Sequence, residues 1–233
     1  MRAEILAVGS ELLDPVRQET NGTHITRKLL EVGVEVGARI TVADDLALLT
    51  SAFRTAWARA DLVIATGGLG PTEDDLTREA AAGALGRPLV RQPDLVDELK
   101  ARFARFGRVM APVNEKQADL IEGGTVMPNA RGSAPGQRVE SEGKLLFLLP
   151  GPPGEMSAMF EEQVLPVVRA RAGGSVIRRR ILRIAGMGES DVEQIVAPVY
   201  KTFTNPRTTI LGGASEVELQ LVAQAPTEAE AEE

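Results

Sequence analysis

Short apolar runs alternate with amphipathic stretches along the first third of the chain, and this alternation constrains the fold more than any other feature. Runs at residues 4–8, 34–42 and 61–66 have the length and composition of buried strands. Between them, residues 21–32 and 46–60 repeat apolar side chains at helical spacing. Strands separated by helices of about 10 to 15 residues are typical of right-handed βαβ units. The sequence therefore predicts a three-layer α/β fold, with a mostly parallel sheet covered by helices on both faces.

The rest of the chain divides at Gly173-Gly174, the clearest linker in the sequence. Before this linker the pattern predicts further elements: helices at 76–85, 94–106, about 112–118 and 155–172, and the most apolar strand at 144–149. After it the pattern predicts a small α+β unit: a strand at 176–185, a helix at 190–203, and strands at 208–211 and 217–223. We therefore expect domains at residues 1–172 and 175–225, followed by an acidic tail at 226–233.

Composition excludes several classes of function. The chain carries 26 Lys and Arg against 33 Asp and Glu, and residues 228–233 hold four of the negative charges, so the body is mildly acidic. No basic field is present to hold a nucleic acid or an anionic membrane surface. The absence of Cys excludes disulfides, thiolate nucleophiles and Cys-based metal centres. With neither a signal-peptide pattern nor an apolar run of 18 residues, we expect a soluble, cytoplasmic protein without nucleic-acid or membrane partners.

The run from Thr66 to Thr77, TGGLGPTEDDLT, carries the strongest chemical signal. It follows a predicted buried strand and leads into a helix, which places it at the edge of a parallel sheet where ligands bind. Gly67, Gly68 and Gly70 allow the backbone to approach an anion, and Thr72 adds a hydroxyl beside the N-terminus of the helix. The run therefore predicts a cradle for a phosphate group.

Carboxylates follow all three predicted strands of this region. Glu11 comes after the first strand, Asp44 and Asp45 after the second, and Asp74 and Asp75 after the third. Carboxylates that converge beside glycine-rich turns suit a hard cation bound together with a pyrophosphate, because Mg²⁺ usually takes one or two protein carboxylates plus phosphate oxygens. The alternatives are structural: Asp44-Asp45 as a turn and helix cap, and Asp74-Asp75 as partners of the helix dipole.

Several motifs, in order, resemble those of the CinA (competence/damage-inducible protein) family, over about residues 3 to 225. They are GSELL at 9–13, Asn21, ADD at 43–45, the run at 66–77, NEKQA at 114–118, NARGSAPG at 129–136 and LLPGPPGEM at 148–156. The run at 66–77 also resembles the molybdopterin-binding fold of molybdenum-cofactor biosynthesis proteins. The resemblance implies a metal-dependent ADP-ribose pyrophosphatase domain, followed by a KH-like domain. Members usually continue into a nicotinamide-nucleotide amidase domain, so amidase activity would belong to a longer version of the protein.

The residues and the resemblance together give the candidate site. The catalytic candidates are Glu11, Asp44, Asp74 and Asp75, and the candidate ligands of a divalent ion, Mg²⁺ or a transition metal, are Asp44, Asp45 and Asp75. The candidate substrate-binding residues are Gly9, Ser10, Asn21, Gly67, Gly68, Gly70, Thr72, Thr77, Asn114 and Lys116. For Lys116 the alternative is a solvated side chain on a helix surface. Ser10 stands where the family usually has Thr, and Asp14-Pro15 replaces a common Gly.

Two hypotheses of function follow. The first is an enzyme in which a water molecule attacks a phosphorus of ADP-ribose and releases AMP and ribose 5-phosphate. The second is a non-catalytic module that binds a pterin or nucleotide at the same edge. P-loop and Rossmann motifs are absent, and the Nudix box is absent too. Because the small domain has few aromatic residues and Gly186-Met-Gly188 is not a basic GxxG loop, we expect its role to be homodimerisation rather than RNA binding.

Overall fold

The computed structural model describes residues 1–105, 107–174, 176–213 and 215–232. Three predicted positions lie outside the described residues: the helix end at Phe106, the domain start at Ser175 and the last tail residue, Glu233. The chain divides into two compact units, one of Met1–Leu29 with Glu35–Val168 and one of Leu30–Val34 with Arg169–Glu233. None of the described helices has the length and apolar character needed to cross a membrane.

The first unit is built on a six-stranded sheet. Its strands and the short pair beside it are β1 Arg2–Val8, β2 Glu35–Val42, β3 Leu62–Thr66, β4 Leu89–Arg91, β5 Asp119–Ile121, β6 Thr125–Met127, β7 Gly136–Ser141 and β8 Lys144–Leu149. The sheet order is β2-β1-β3-β8-β7-β6, and the first four of these strands run parallel. The last two are antiparallel, and β4 pairs with β5 in a separate ribbon. The predicted α/β class and mostly parallel sheet are confirmed.

Helices connect these strands. They are α1 Asn21–Glu31, α2 Leu46–Arg59, α3 Thr77–Leu85, α4 Pro93–Arg105, α5 Pro153–Met159 and α6 Leu165–Arg171. The helix predicted at 155–172 is interrupted by a π-helical turn at Phe160–Val164, and the helix predicted near 112–118 is a 3₁₀ segment at Pro112–Ala118. The strands β4 to β7 were not predicted, because their short runs mix polar and apolar residues.

The core explains why the central strands are continuous apolar runs. Every residue of β3 is buried, and in β8 only Lys144 is not. Val63 and Ala65 point into a cluster with Leu49 and Phe53 of α2, whereas Ile64, between them, is equally buried on the opposite face. Burial on both faces holds the strand ends in one rigid edge, which is where the polar loops emerge.

The second unit contains an antiparallel sheet of order β10-β11-β9. Its elements are β9 Val176–Ala185, α7 Glu189–Tyr200, β10 Arg207–Gly212, β11 Glu216–Ala225 and α8 Glu228–Glu232. The predicted α+β order is present, and the acidic tail contains the short helix α8. In the basic run of β9, the guanidinium of Arg178 pairs with the carboxylate of Glu228, and that of Arg179 bonds the Gln220 side chain, so both charges are used within the unit.

Candidate functional site

A cavity of about 700 Å³ lies at the carboxyl edge of the main sheet, among the loops that follow β1, β2, β3 and β8. Predicted site residues that line it are Gly9, Glu11, Asn21, Asp44, Gly67, Gly68, Gly70, Thr72, Asp74 and Asp75. Predicted site residues outside its lining are Ser10, Asp45, Thr77, Asn114 and Lys116. The convergence of three strand ends therefore brings most of the candidates to one place.

The glycine-rich turn after β3 is closed from within by Thr77. This side chain is fully buried, its hydroxyl donates to the carbonyl of Gly67 at 2.8 Å, and its N–H donates to that of Gly68 at 3.2 Å. A Cβ atom at Gly68 would lie 2.2 Å from the Thr77 hydroxyl, and the backbone there has φ of +64°. The fold itself therefore requires glycine at position 68, and a larger residue would disturb the turn as well as any ligand.

Asp75 organises the same turn. One of its carboxylate oxygens accepts the N–H of Gly70 at 2.8 Å. The other accepts the N–H of Thr72 at 2.9 Å and lies 2.6 Å from the Thr72 hydroxyl, whose single proton it shares with Asp74. Because both oxygens already hold the backbone, the first role of Asp75 is to fix the shape of the cradle.

Arg78 supports the turn from the interior. It is fully buried, and its guanidinium donates to the carbonyls of Leu69 and Gly70, each at 2.8 Å. Burial lowers the pKa of Arg78, and the charges of Glu79 and Asp75 oppose that shift. The guanidinium stays protonated at neutral pH, so a positive charge lies directly behind the cradle.

Lys116 contacts the second half of the turn, residues 72–75. Its ammonium donates to the carbonyls of Thr72 at 2.8 Å and Asp75 at 2.9 Å, and it lies 3.6 Å from the carboxylate of Glu79. The solvated alternative is therefore wrong, although Lys116 contacts the turn and does not line the cavity. Asn114, on the same 3₁₀ segment, donates to the carbonyl of Ala111 at 3.2 Å and closes its own turn.

Adjacent backbone amides of the turn, at Gly68 and Leu69, lack hydrogen-bond partners among the described residues. Within the described parts of the chain, the N–H groups of Gly68 and Leu69 make no hydrogen bond, and both residues line the cavity. The neighbouring carbonyls are bonded to Arg78, Lys116 or Thr77. Consecutive free N–H groups backed by the buried Arg78 guanidinium have the chemistry of an anion-binding surface, so the phosphate cradle expected from the sequence stays a prediction.

The loop after β1 is pinned to the loop after β2. The N–H of Ser10 donates to the Asp44 carboxylate at 2.7 Å, and the N–H of Asp44 donates to the Ser10 hydroxyl at 3.0 Å. Ser10 is therefore used in pairing the two loops. The Glu11 carboxylate folds back over Gly9, where a Cβ atom would lie 2.7 Å from it, and it makes no hydrogen bond among the described residues. The Glu11 carboxylate thus lines the cavity without a hydrogen-bond partner among the described residues.

Two other candidates have structural partners. Asp45 caps α2, because its side chain accepts the N–H of Leu48 at 2.8 Å. Asn21 is the first residue of α1, and its amide donates to the Thr66 hydroxyl at 2.9 Å and to the carbonyl of Gly151 at 2.8 Å. The cap alternative is confirmed for Asp45. Asn21 ties the ends of β3 and β8 together at the cavity.

Gln117 is a site residue that the sequence analysis did not single out. It lines the cavity with only 1% of its surface exposed, and its side-chain oxygen is buried without a hydrogen-bond partner in the described structure. A buried acceptor of this kind costs free energy unless water or a ligand donates to it. Gln117 belongs to the motif NEKQA, but a neutral amide beside a charged lysine carries no separate signal of burial in the sequence.

The arrangement fits a shared cation better than a preformed metal centre. Among the described residues no group of three His, Cys, Asp or Glu side chains is close enough to hold an ion. The cavity wall nevertheless carries Glu11, Asp44 and Asp74, and a hydrogen bond from the Thr72 hydroxyl lowers the pKa of Asp74. A carboxylate with a lowered pKa is a poor proton acceptor and a good cation ligand. A divalent ion would therefore be held partly by these carboxylates and partly by a bound phosphate.

Two family descriptions match the chain. Residues 4–170 match the family described as "Probable molybdopterin binding domain". Residues 179–233 match the family described as "Damage-inducible protein CinA KH domain". Together these matches extend over both compact units.

Individual relatives agree with these matches. A CinA-like protein of Solibacter usitatus is 49% identical over 99% of this chain and 55% of its own length. A CinA-like protein of Koribacter versatilis is 50% identical over 97% of this chain and 56% of its own length. The chain thus spans about half the length of the curated relatives it matches. The crystal structure of the protein CinA from Thermoplasma acidophilum, described as of unknown function, is similar at a TM-score of 0.66 and 33% identity, covering 71% of this chain and 97% of that one.

Proposed function

Because the chain belongs to the CinA-like family, with a molybdopterin-binding domain followed by a CinA KH domain, we propose that its first unit hydrolyses ADP-ribose with the aid of a divalent metal ion. The bond that breaks is a P–O bond of the pyrophosphate, and the products are AMP and ribose 5-phosphate. The observation that carries the proposal is the cavity at the sheet edge, where free backbone N–H groups on one wall oppose carboxylates on another.

Each wall has a distinct task in this proposal. The N–H groups of Gly68 and Leu69, with Arg78 behind them, bind and orient the pyrophosphate oxygens. Asp44 and Asp74 would hold the metal ion when a substrate is bound. The ion, when bound, neutralises charge that develops on the phosphoryl group and polarises its oxygens.

Glu11 is the side chain that accepts the proton of the attacking water. Asp75 is used by the turn, Asp45 caps a helix and the pKa of Asp74 is lowered, whereas the Glu11 carboxylate has no bound donor. The water oxygen forms a bond to phosphorus as its proton passes to Glu11, and the bridging P–O bond breaks. Attack at either phosphorus gives the same two products.

A second candidate function is binding without hydrolysis. It is favoured by the engagement of Asp75 with the turn and by the lack of a preformed metal cluster among the described residues. In this case the cavity holds a pterin or a nucleotide as a ligand only. The two functions differ in whether AMP appears when purified protein is incubated with ADP-ribose and Mg²⁺, Mn²⁺ or Co²⁺, with EDTA as the control.

Substitution of Asp74 and Asp75 tests the proposed hydrolysis. We expect Asp74→Asn to lower turnover of ADP-ribose by about 10² with little change in folding, because it weakens a cation ligand. Asp75→Asn places an amide N–H against the donors of Gly70 or Thr72, so both turnover and ligand affinity should fall. Asp97→Asn, on the exposed surface of α4, is the matched control. Unchanged metal-dependent turnover in both variants would remove this pair from the mechanism.

We further propose that the second unit mediates homodimerisation. Its apolar side chains Ile181, Leu182, Ile195, Val199 and Phe203 are between 44% and 62% exposed. A concentration of exposed apolar residues of this kind is typical of an interaction surface. The strand β11 buries Val217 and Leu219. The exposed apolar side chains therefore lie on β9, on α7 and just after α7, with the adjacent Ile181 and Leu182 on opposite faces of their strand.

Light scattering on the full chain tests the dimer. We expect the native chain to have twice its monomer mass and the double variant Ile195→Glu/Val199→Glu to be monomeric, because these residues lie one turn apart on α7. Val109→Glu, at a site 96% exposed in the first unit, is the control and should remain dimeric. A monomeric native chain, or a dimeric double variant, would contradict the proposal.

A further inference from the structure

A second cavity of about 430 Å³ adjoins the first. It is lined by Arg102, Phe103, Arg108, Arg131, Gly132 and Ser133, and Ser133 also lines the larger cavity. The two cavities therefore meet at Ser133, and a ligand that occupies both would pass over this residue.

The wall between the cavities is built around the buried side chain of Asn129. Its oxygen accepts the N–H groups of Arg131 at 3.0 Å and Gly132 at 2.8 Å. Its amide donates to the carbonyl of Ala134 at 2.9 Å and to the carboxylate of Glu155 at 2.7 Å. With Asn129 only 4% exposed, these bonds make the loop a fixed partition and not a loose surface segment.

Arg102 closes the partition from α4. Its guanidinium donates to the carbonyls of Asn129 and Ala130, the latter at 3.0 Å. The loop is therefore anchored on one side by Glu155 and on the other by Arg102. Because the cation of Arg102 is held at the pocket by these carbonyls, its charge remains there whether or not a ligand is bound.

The other two arginines keep free donors. Arg131 uses one terminal nitrogen, on the carbonyl of Gly154 at 3.1 Å. The Arg108 backbone N–H donates to the carbonyl of Phe103 at 3.0 Å, and its guanidinium makes no hydrogen bond or ion pair among the described residues. No carboxylate belongs to the described lining of the pocket, although the chain as a whole has a net charge of −7. The carboxylate of Glu155 lies against Gly132 of the lining, where it accepts the amide of Asn129, so one protein anion faces three guanidinium groups.

We propose that the arginine pocket binds a phosphate group that the ligand carries in addition to its pyrophosphate. A phosphomonoester brings two negative charges and oxygens that match guanidinium donors, whereas an uncharged nucleobase would leave the excess of positive charge unbalanced. The volume leaves room for the sugar that bears the phosphate, and Phe103 offers it an apolar wall. This inference rests on the proposed function in one respect: the proposed function places the pyrophosphate of the same ligand in the first cavity.

The chemistry defines the ligand class as phosphorylated forms of ADP-ribose. Two such molecules carry the extra phosphate at opposite ends: ADP-ribose 2′-phosphate on the adenosine and ADP-ribose 1″-phosphate on the terminal ribose. We expect one of them to bind at least tenfold more tightly than ADP-ribose in calorimetric titration of the full chain. The tenfold advantage should disappear in the variant Arg108→Gln/Arg131→Gln, while affinity for ADP-ribose itself stays unchanged.

Arg105→Gln supplies the matched control, because Arg105 is exposed on the same helix as Arg102 and lies outside the pocket lining. It should keep the full advantage, and thermal unfolding of all variants should match that of the native chain. The proposal is overturned if neither phosphorylated ligand binds more tightly than ADP-ribose, or if the advantage survives in the double variant.

Failure of the proposed function gives a different result. If ADP-ribose does not bind at all, inorganic phosphate serves as the probe. Weaker phosphate binding in Arg108→Gln/Arg131→Gln, with native binding in Arg105→Gln, would support the arginine pocket even though hydrolysis of ADP-ribose fails. Equal phosphate binding in all three proteins would overturn the pocket itself.

Discussion

Replacing Glu11 with glutamine is expected to lower the turnover of ADP-ribose by about 10² to 10⁴, the range for removal of a general base. The amide keeps the size of the side chain but does not accept a proton from water. Because the Glu11 carboxylate holds no backbone donor in the described structure, its loss should leave the surrounding loop intact. The fall should therefore appear in kcat, with KM nearly unchanged.

Initial rates of AMP release at saturating metal measure this effect. Glu73→Gln is the matched control, because Glu73 belongs to the glycine-rich turn but does not line the cavity. Native kcat in Glu11→Gln would exclude Glu11 as the proton acceptor. A rise in KM without a fall in kcat would place Glu11 in substrate binding instead.

The position of the site could be predicted from sequence because its signals are local. A buried strand, a glycine-rich turn and a helix follow one another within residues 61–85, and parallel strands bring their carboxyl ends to one edge. The same reasoning placed Glu11 and Asp44 beside the turn, and both line the cavity. Local pattern and sheet topology agreed, so the edge could be located before any contact was known.

The separate role of each carboxylate could not be predicted in this way. Asp44, Asp45, Asp74 and Asp75 have the same chemistry in the sequence, and only their hydrogen bonds distinguish a cation ligand from a helix cap or a turn organiser. These bonds depend on backbone directions within single turns. A pair of adjacent aspartates therefore predicts the place of a site better than the role of either residue.

Contacts between segments that are distant in sequence could not be predicted either. Lys116 meets the carbonyl of Thr72 across 44 positions of sequence, and Arg102 meets that of Ala130 across 28. Arg78 is a related case, because a charged residue in an amphipathic helix is expected to face solvent. Its burial follows from the two turn carbonyls that need donors, and the sequence contains no separate signal for them.

Replacing Arg78 with methionine should destabilise the first unit by roughly 2–4 kcal/mol, because it leaves the buried carbonyls of Leu69 and Gly70 without donors. Methionine fills a similar volume, so lost hydrogen bonds rather than a cavity dominate the change. Arg54→Met is the control: this exposed arginine reaches only the carbonyl of Gly83, at 3.4 Å, and its loss should stay within about 0.5 kcal/mol. Urea unfolding followed by the fluorescence of Trp57, the single tryptophan, reports on the first unit.

If the free energy of unfolding of Arg78→Met equals that of Arg54→Met, the turn does not depend on the Arg78 cation. If it is less stable yet still binds ADP-ribose with native affinity, Arg78 serves folding alone and not the cradle.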